Sequence, residues 1–499
     1  MITLISRPLR AIALCILLSG TCTPIDGFAE DAPNWAALAR QDLQFAADTI
    51  ASRHAGVVDG QPSVTGPLTT GLRVALADVD AVHNEQDYLR LLTRFIAGFG
   101  DPHTAIDLHL TTRGWTGIIL DQIDGRYRVI WSEPGWPNAL PPTGAVAESC
   151  DGVYTGTYLQ LKVGPFVNRR AEYSTALSSL AQQSMFDTGL GWTPAQCVFA
   201  LADGSVRRFA LPLRVVPEQV SQARLNALRP LYHAAAKPVG VTQLGPGRYW
   251  VGMPTFNGKY SGAAYEALYP KLAALKQPAW VVLDLRGNGG GDSSWGTRAL
   301  GALYGTAYSS QLEKAGGEQE YLIADNVTVN QLKRYIAAPE FANSRDDLVE
   351  VLEKVRGAIE AGSKMALVSG RADAPTADAL PARVVRRPHG PRLAAIIDRD
   401  CFSSCMNVLQ QIRATGDAVV LGEPTIGYSP FGEISRIDLP SRRGALLIPS
   451  AVFRTAQATR QPFLPDYTFS GKMTDDNALT TWVNRILDDL TVRVERKAF

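Results

Sequence analysis

After its first thirty residues this chain has no apolar run long enough to span a bilayer, which takes about 20 consecutive apolar residues. Excess charge is missing too: 49 Lys and Arg face 48 Asp and Glu. That near-balance argues against nucleic acid or an anionic membrane surface as the main partner. There is no C-x-x-C pair and no H-E-x-x-H helix, so the usual zinc frameworks are excluded and no metal or other cofactor is expected. The glycine-rich segments lack both the Gly-Lys-Ser/Thr ending of a P-loop and the G-x-G-x-x-G spacing of a dinucleotide site. No internal repeat or low-complexity tract occurs. With 46% hydrophobic and 19% charged residues over 499 positions, the composition is that of two to four globular domains with substantial cores.

The N-terminus reads as a secretory leader. Arg7 and Arg10 supply a positive start, residues 11–20 are apolar but short, and Gly27-Phe28-Ala29 offers small residues for cleavage after Ala29. The competing reading is an uncleaved anchor. Cleavage places the mature chain outside the cytoplasm, periplasmic or secreted, with no integral membrane segment left. Of six cysteines, Cys15 and Cys22 would leave with the leader, and Cys150, Cys197, Cys401 and Cys405 remain. An even count in an exported chain permits disulfides, and four thiols allow three connectivities. Cys150 with Cys197 is the preferred pair, because both fall in one strand-rich segment. Cys401 and Cys405 share a face if their stretch is helical, a geometry that suits a disulfide poorly.

The texture changes along the chain. Residues 30–111 carry helical stripes, Trp35, Leu38, Ala39, Leu43 and Ala46 in one and Tyr88, Leu91, Leu92, Phe95 and Ile96 in another. Residues 112–216 break into short strands around 117–120, 127–131 and 198–201, with Asp203-Gly204 as a hairpin signal. Within them, Pro142 to Val153 resembles the carboxylate-binding-loop half of a PDZ domain; a small β-domain without peptide binding is the plain alternative. Residues 217–238 read as a helical connector. From 239 to 499 strands and helices alternate, which implies an α/β core with a mainly parallel sheet. Residues 310–375 interrupt that alternation with a charged, helix-prone stretch, read as an insertion with a lid as one role.

Three separated pieces hold chemistry-bearing residues. Asp284 to Gly291 reads DLRGNGGG after an apolar strand from Trp280. Glycines there free the backbone for positive φ and bare the peptide N–H groups, which can face a phosphate or an oxyanion. Gly100 to Thr104 reads GDPHT. Among six histidines, His103 is the best general base, because it lies in a turn, whereas His54 and His83 fall in helical, exposed contexts. Asp398 to Met406 reads DRDCFSSCM between a strand and a helix. A serine there is often just a cap. As a nucleophile it would have its oxyanion met by free N–H groups and the helix dipole, and it would need a base.

Taken together these pieces identify a resemblance. The chain resembles the tail-specific (C-terminal processing) serine peptidases, in particular their relatives near tricorn protease. DLRGNGGG, FGDPHT at Phe99 to Thr104, CFSSCM at Cys401 to Met406, VVLGEPTIG at Val419 to Gly427 and PFLPDY at Pro462 to Tyr467 occur in the family's order. The resemblance implies a Clp-protease/crotonase-like core preceded by helices and a PDZ-like module, acting on peptide or protein substrates. It implies Ser403 as nucleophile, His103 as base, and Gly289, Gly290 and Ser404 as oxyanion donors. Many members use a Ser–Lys dyad, but Tyr428, or Phe431-Gly432-Glu433 after a short gap, stands where the lysine would be. The branch near tricorn uses a glutamate as third member; the equivalent falls near Thr459, so Glu433 is taken as a substitute, with Asp101 and Asp466 behind it. Met406 stands where the family usually has Glu. The readings that compete are an exported Ser/His peptidase and an inactive protein of the same fold that captures peptide tails.

Overall fold

The computed structural model describes residues 33–109, 112–167, 174–187, 189–231, 233–234, 236–315, 319–370, 384–385, 390–454 and 461–497. The leader and Thr459 lie outside the described residues. Three long helices come first: α1 (Trp35–Arg53), α2 (Pro62–Asp78) and α3 (Glu85–Ala97). Leu43, Ala46 and Ile50 of α1 meet Tyr88, Leu92 and Phe95 of α3 in one core, as spacing on a single helix face requires. Asn84 caps α3 by accepting the Asp87 N–H. The helical region ends earlier than expected. Residues 105–108 form strand β1 (Ala105–Leu108), which pairs antiparallel with Gly444 to Leu447 and so ties the His103 turn to the far end of the sequence.

A β-rich segment with its own sheet follows, sharing one hydrophobic core with the N-terminal helices. It comprises β2 (Ile118–Ile123), β3 (Arg126–Ser132), β4 (Val146–Cys150), helix α4 (Ser174–Ser184), β5 (Gln196–Ala200) and β6 (Val206–Ala210). The strands stand in chain order in the sheet. Asp124-Gly125 and Asp151-Gly152 both take positive φ in two-residue turns, as right-twisted hairpins demand. Cys150 lies directly opposite Cys197 in the β4–β5 register, and the two form a disulfide. Helix α5 (Glu218–Leu228) then leads into the core.

The core contains strands β7 (Gly240–Gly245), β8 (Arg248–Gly252), β9 (Trp280–Asp284), β10 (Gln319–Ile323), β11 (Met365–Ser369), β12 (Arg392–Ile397), β13 (Val419–Gly422), β14 (Phe431–Asp438), β15 (Gly444–Arg454) and β16 (Tyr467–Thr468). Its helices are α6 (Gly258–Ala273), α7 (Ser294–Tyr304), α8 (Thr306–Ala315), α9 (Asn326–Ala337), α10 (Arg345–Glu360), α11 (Ser404–Ala414) and α12 (Asp476–Lys497). The main sheet runs β7-β8-β9-β12-β13-β16 and is parallel except for the β7–β8 hairpin. Every residue of β9 is buried. Val281 and Leu283 point into the layer with α6, α7 and α11, and Trp280 and Val282 into the layer under α12. Burial on both faces is why β9 reads as a continuous apolar run instead of an alternating one.

The α/β class and the N-terminal helices are as expected. Two features of the core are not. Residues 310–375 are not a helical insertion alone: β10 and β11 pair with each other, and β10 pairs with β15, so the segment is built into a second sheet. That sheet is organised by the long strand β15, which carries β14 on one side and β1 followed by β10 on the other. The β14–β15 hairpin left little trace at sequence level because Pro430, Gly432 and Pro449 interrupt its alternation. No helix among the described residues is long and apolar enough to cross a membrane.

The Cys150–Cys197 bridge closes a loop with a sequence separation of 47, which restricts the unfolded chain. Replacing both cysteines by alanine should lower unfolding stability by about 2–4 kcal/mol. Urea melts of wild type and double variant, with and without reductant, test this; equal midpoints would remove the bridge from the account of stability.

Candidate active site

The glycine turn begins where β9 leaves the sheet. Arg286 is fully buried and pairs with Asp284 at 2.7 Å, donates to the Met473 carbonyl and reaches Asp476 at 2.9 Å. It anchors the turn to the start of α12. Asn288, also fully buried, acts as an internal brace. Its Nδ2 donates to the Met253 carbonyl at 2.8 Å, its Oδ1 accepts the Gly290 N–H at 2.9 Å, and its carbonyl accepts the Phe402 N–H. The Gly287 N–H donates to Asp398 Oδ2 at 2.8 Å. The turn after β9 is thereby stitched to the loop after β12, the strand beside it.

That second loop carries Ser403. Its φ of 56° and ψ of −127° are a strained combination for a residue with a side chain, of the kind that collects at functional sites. The serine stands on the sharp corner between β12 and α11, ahead of the first helical residue Ser404. Gly290 passes close behind it. A Cβ on Gly290 would lie 2.8 Å from Ser403 Cβ and 3.0 Å from the Ser404 nitrogen, so only glycine fits. Among the described residues the N–H groups of Gly289 and Ser404 have no acceptor. The Gly290 N–H does, and this corrects the expectation that it serves an oxyanion: Asn288 already occupies it. The Ser404 hydroxyl donates to the Gly291 carbonyl at 2.6 Å and adds a further stitch.

Cys401 and Cys405 form a disulfide with their Cα atoms 5.4 Å apart. This corrects the reading that their spacing suits a bridge poorly. That objection assumed a helix through both residues, whereas α11 begins only at Ser404. The bridge spans the corner on which Ser403 stands.

His103 reaches the same place from the N-terminal third of the chain. Its ring packs on Phe402, the residue before Ser403, with centroids 4.8 Å apart. Its Nδ1 lies 2.6 Å from the Phe431 carbonyl oxygen. A carbonyl only accepts, so Nδ1 carries the proton and Nε2 keeps its lone pair. Glu433, expected to orient this ring, does not: the Phe431 carbonyl takes that role, and no described hydrogen bond or ion pair joins Glu433 to His103. Glu433 instead has a positive φ and accepts the Ser450 hydroxyl at its backbone carbonyl. Water reaches its side chain, yet the surrounding protein and the Asp292 carboxylate raise its carboxyl above the usual range. Asp466 holds the Val420 N–H and Arg413. His54 is fully buried, contrary to the exposed position expected for it.

Asn288, Asp398 and the Phe431 carbonyl escaped sequence reasoning. Asn288 was visible inside the glycine motif and Asp398 at the end of an apolar strand. A backbone carbonyl has no residue-type signature at all.

Asp398 is buried with the Asp400 and Glu423 carboxylates near it, and burial and their charge raise its carboxyl well above the usual range. Folding therefore favours the protonated form. This contribution to stability is complete at low pH and is lost as pH rises through the raised value. Asp398→Asn removes the titration, so thermal melts from acid to alkaline pH should show the variant gaining on wild type as pH increases; a constant difference would refute the raised value. Gly290→Ala should cost about 1–3 kcal/mol from its φ of 102° alone. Chemical denaturation measures that, and a neutral substitution would mean that the two loops are less close than described.

Residues 250–468 match the model of peptidase family S41. No curated protein matches this chain in sequence. In fold the chain resembles mature CPAF complexed with lactacystin, at 11% identity and a TM-score of 0.64, over 91% of this chain and 99% of that one. It likewise resembles mature CPAF, at 11% identity and a TM-score of 0.63, over 91% and 98%. The glycine turn, the serine corner and the β14–β15 hairpin all fall inside the matched span, so the part of this chain that is similar to peptidase family S41 is the part that carries Ser403.

Proposed function

We propose that this protein is an exported serine peptidase in which Ser403 and His103 carry the chemistry without a catalytic lysine. The observation that carries the reading is the 2.6 Å contact of His103 Nδ1 with the Phe431 carbonyl oxygen. With Nδ1–H engaged by the Phe431 carbonyl, Nε2 is available to take the Ser403 proton as Oγ attacks a peptide carbonyl. The oxygen of the tetrahedral intermediate gains charge where the Gly289 and Ser404 N–H groups are unengaged, at the N-terminus of α11. The imidazolium then returns its proton to the leaving amine, and water repeats the sequence on the acyl-enzyme. A carbonyl holds the tautomer as a carboxylate would, but offers the imidazolium only a dipole. Export is supported by the leader-like residues 1–29 and by two disulfides. The module of residues 112–216 is proposed as PDZ-like, a holder of the substrate's tail.

The missing carboxylate also favours a second reading, an inactive protein that binds peptide tails. The two separate cleanly. Ser403→Ala and His103→Gln should each cut hydrolysis of unstructured polypeptide about 10³-fold or more, and Ser403→Ala should abolish fluorophosphonate labelling with unchanged circular dichroism. A wild-type protein that neither hydrolyses nor labels, yet binds peptide as Ser403→Ala does, would replace the peptidase with the binder.

A further inference from the structure

Beneath His103 lies a buried polar network that the chemistry above does not use. Asp101, Thr104, His54 and Ser429 are each at most 6% exposed. Asp101 Oδ1 accepts the Ser429 hydroxyl at 2.6 Å, and Oδ2 accepts the Thr104 hydroxyl at 2.8 Å. His54 Nδ1 accepts the Gly56 N–H, so its proton is on Nε2, which donates to Thr104 Oγ1 at 2.9 Å. Every direction is then determined. Thr104 receives from His54 and gives to Asp101. Ser429 gives its one proton to Asp101, so toward Phe431 it can only accept, and it takes the Phe431 N–H at 3.2 Å.

Both halves of the His103–Phe431 hydrogen bond therefore hang from one carboxylate. On one side, the turn that bears His103 is closed twice on Asp101, by the Thr104 N–H to the Asp101 carbonyl and by the Thr104 hydroxyl to Oδ2. On the other, Ser429 grips the peptide unit just ahead of the carbonyl that holds Nδ1. These two segments are more than three hundred residues apart in sequence, and the Asp101–Ser429 contact is a buried side-chain link between them.

We infer that Asp101 and Ser429 are positioning residues of the catalytic centre, setting the imidazole by placing the Phe431 carbonyl. This rests on the Ser403/His103 reading. A loosened carbonyl lets the ring turn, and about 1 Å of misplacement costs on the order of 100-fold in rate.

The test uses the full-length protein with Ser429→Ala, Ser429→Thr and Asp101→Asn. Ser429→Ala should lower kcat for peptide hydrolysis by about 10- to 100-fold with KM and the unfolding midpoint close to wild type, and Ser429→Thr, which keeps the hydroxyl, should restore it. Asp101→Asn should act in the same direction; if it does not fold, the Ser429 pair still decides. Independently of turnover, the far-downfield Nδ1–H proton resonance, assigned by its absence in His103→Gln, should persist in wild type and Ser429→Thr and broaden in Ser429→Ala. The inference is overturned by a Ser429→Ala protein with kcat within twofold of wild type, by an unchanged resonance, or by KM and stability collapsing together with kcat. A wild type without hydrolysis defeats the Ser403/His103 reading, while the resonance still tests the placement.

Discussion

Two backbones meet at contact distance where Gly290 passes behind Ser403, and the geometry of the site follows from that closeness. A Cβ on Gly290 would fall 2.8 Å from that of the serine. Because it has none, the turn after β9 and the corner after β12 nest together, and the Gly289 and Ser404 N–H groups are left beside one hydroxyl. The parallel β9–β12 pairing sets this up, since it delivers both strand ends to the same edge of the sheet. Asp398 then ties the two loops together by a side-chain hydrogen bond from the Gly287 N–H, Asn288 joins them through its carbonyl, and the Asn288 side chain braces the glycine turn.

The electrostatics of the centre come largely from the main chain. Amides face the place where negative charge would grow, and a carbonyl faces the proton of His103. Peptide dipoles held by buried braces need no reorganisation when charge appears. Acidic and basic side chains sit one layer further out. Arg286 with Asp284 and Asp476 supports the glycine turn, and Asp101 supports the histidine turn. A buried ion pair contributes little net stability but penalises loss of either partner, which suits a brace. The Cys401–Cys405 bridge reinforces the strained serine corner covalently.

Much of this was readable from residue order. The DLRGNGGG turn after a buried strand, a serine ahead of a helix and a histidine in a GDPHT turn could be picked out because each depends on local rules: apolar runs, glycine's freedom and helix capping. The α/β class followed from alternation, and the Cys150–Cys197 pairing from two cysteines in one strand-rich segment. The errors share a cause as well. His54 was assigned to an exposed context, yet it is buried against Thr104, a partner 50 positions away. Glu433 was taken as a substitute for the family's glutamate, and a comparison of side chains cannot detect a carbonyl. The strands in residues 310–375 pair with β15, and nothing within that segment announces so distant a neighbour.

By itself, then, the amino-acid sequence determined which residue types stand at strand ends, turns and helix starts, since these obey interactions a few residues in range. Tertiary structure decided which of the bared amides stayed free, which atom turned the imidazole, and whether Cys401 could reach Cys405. Those outcomes depend on distances of a few tenths of an ångström between segments far apart along the chain, and only the packed sheet brings such segments together.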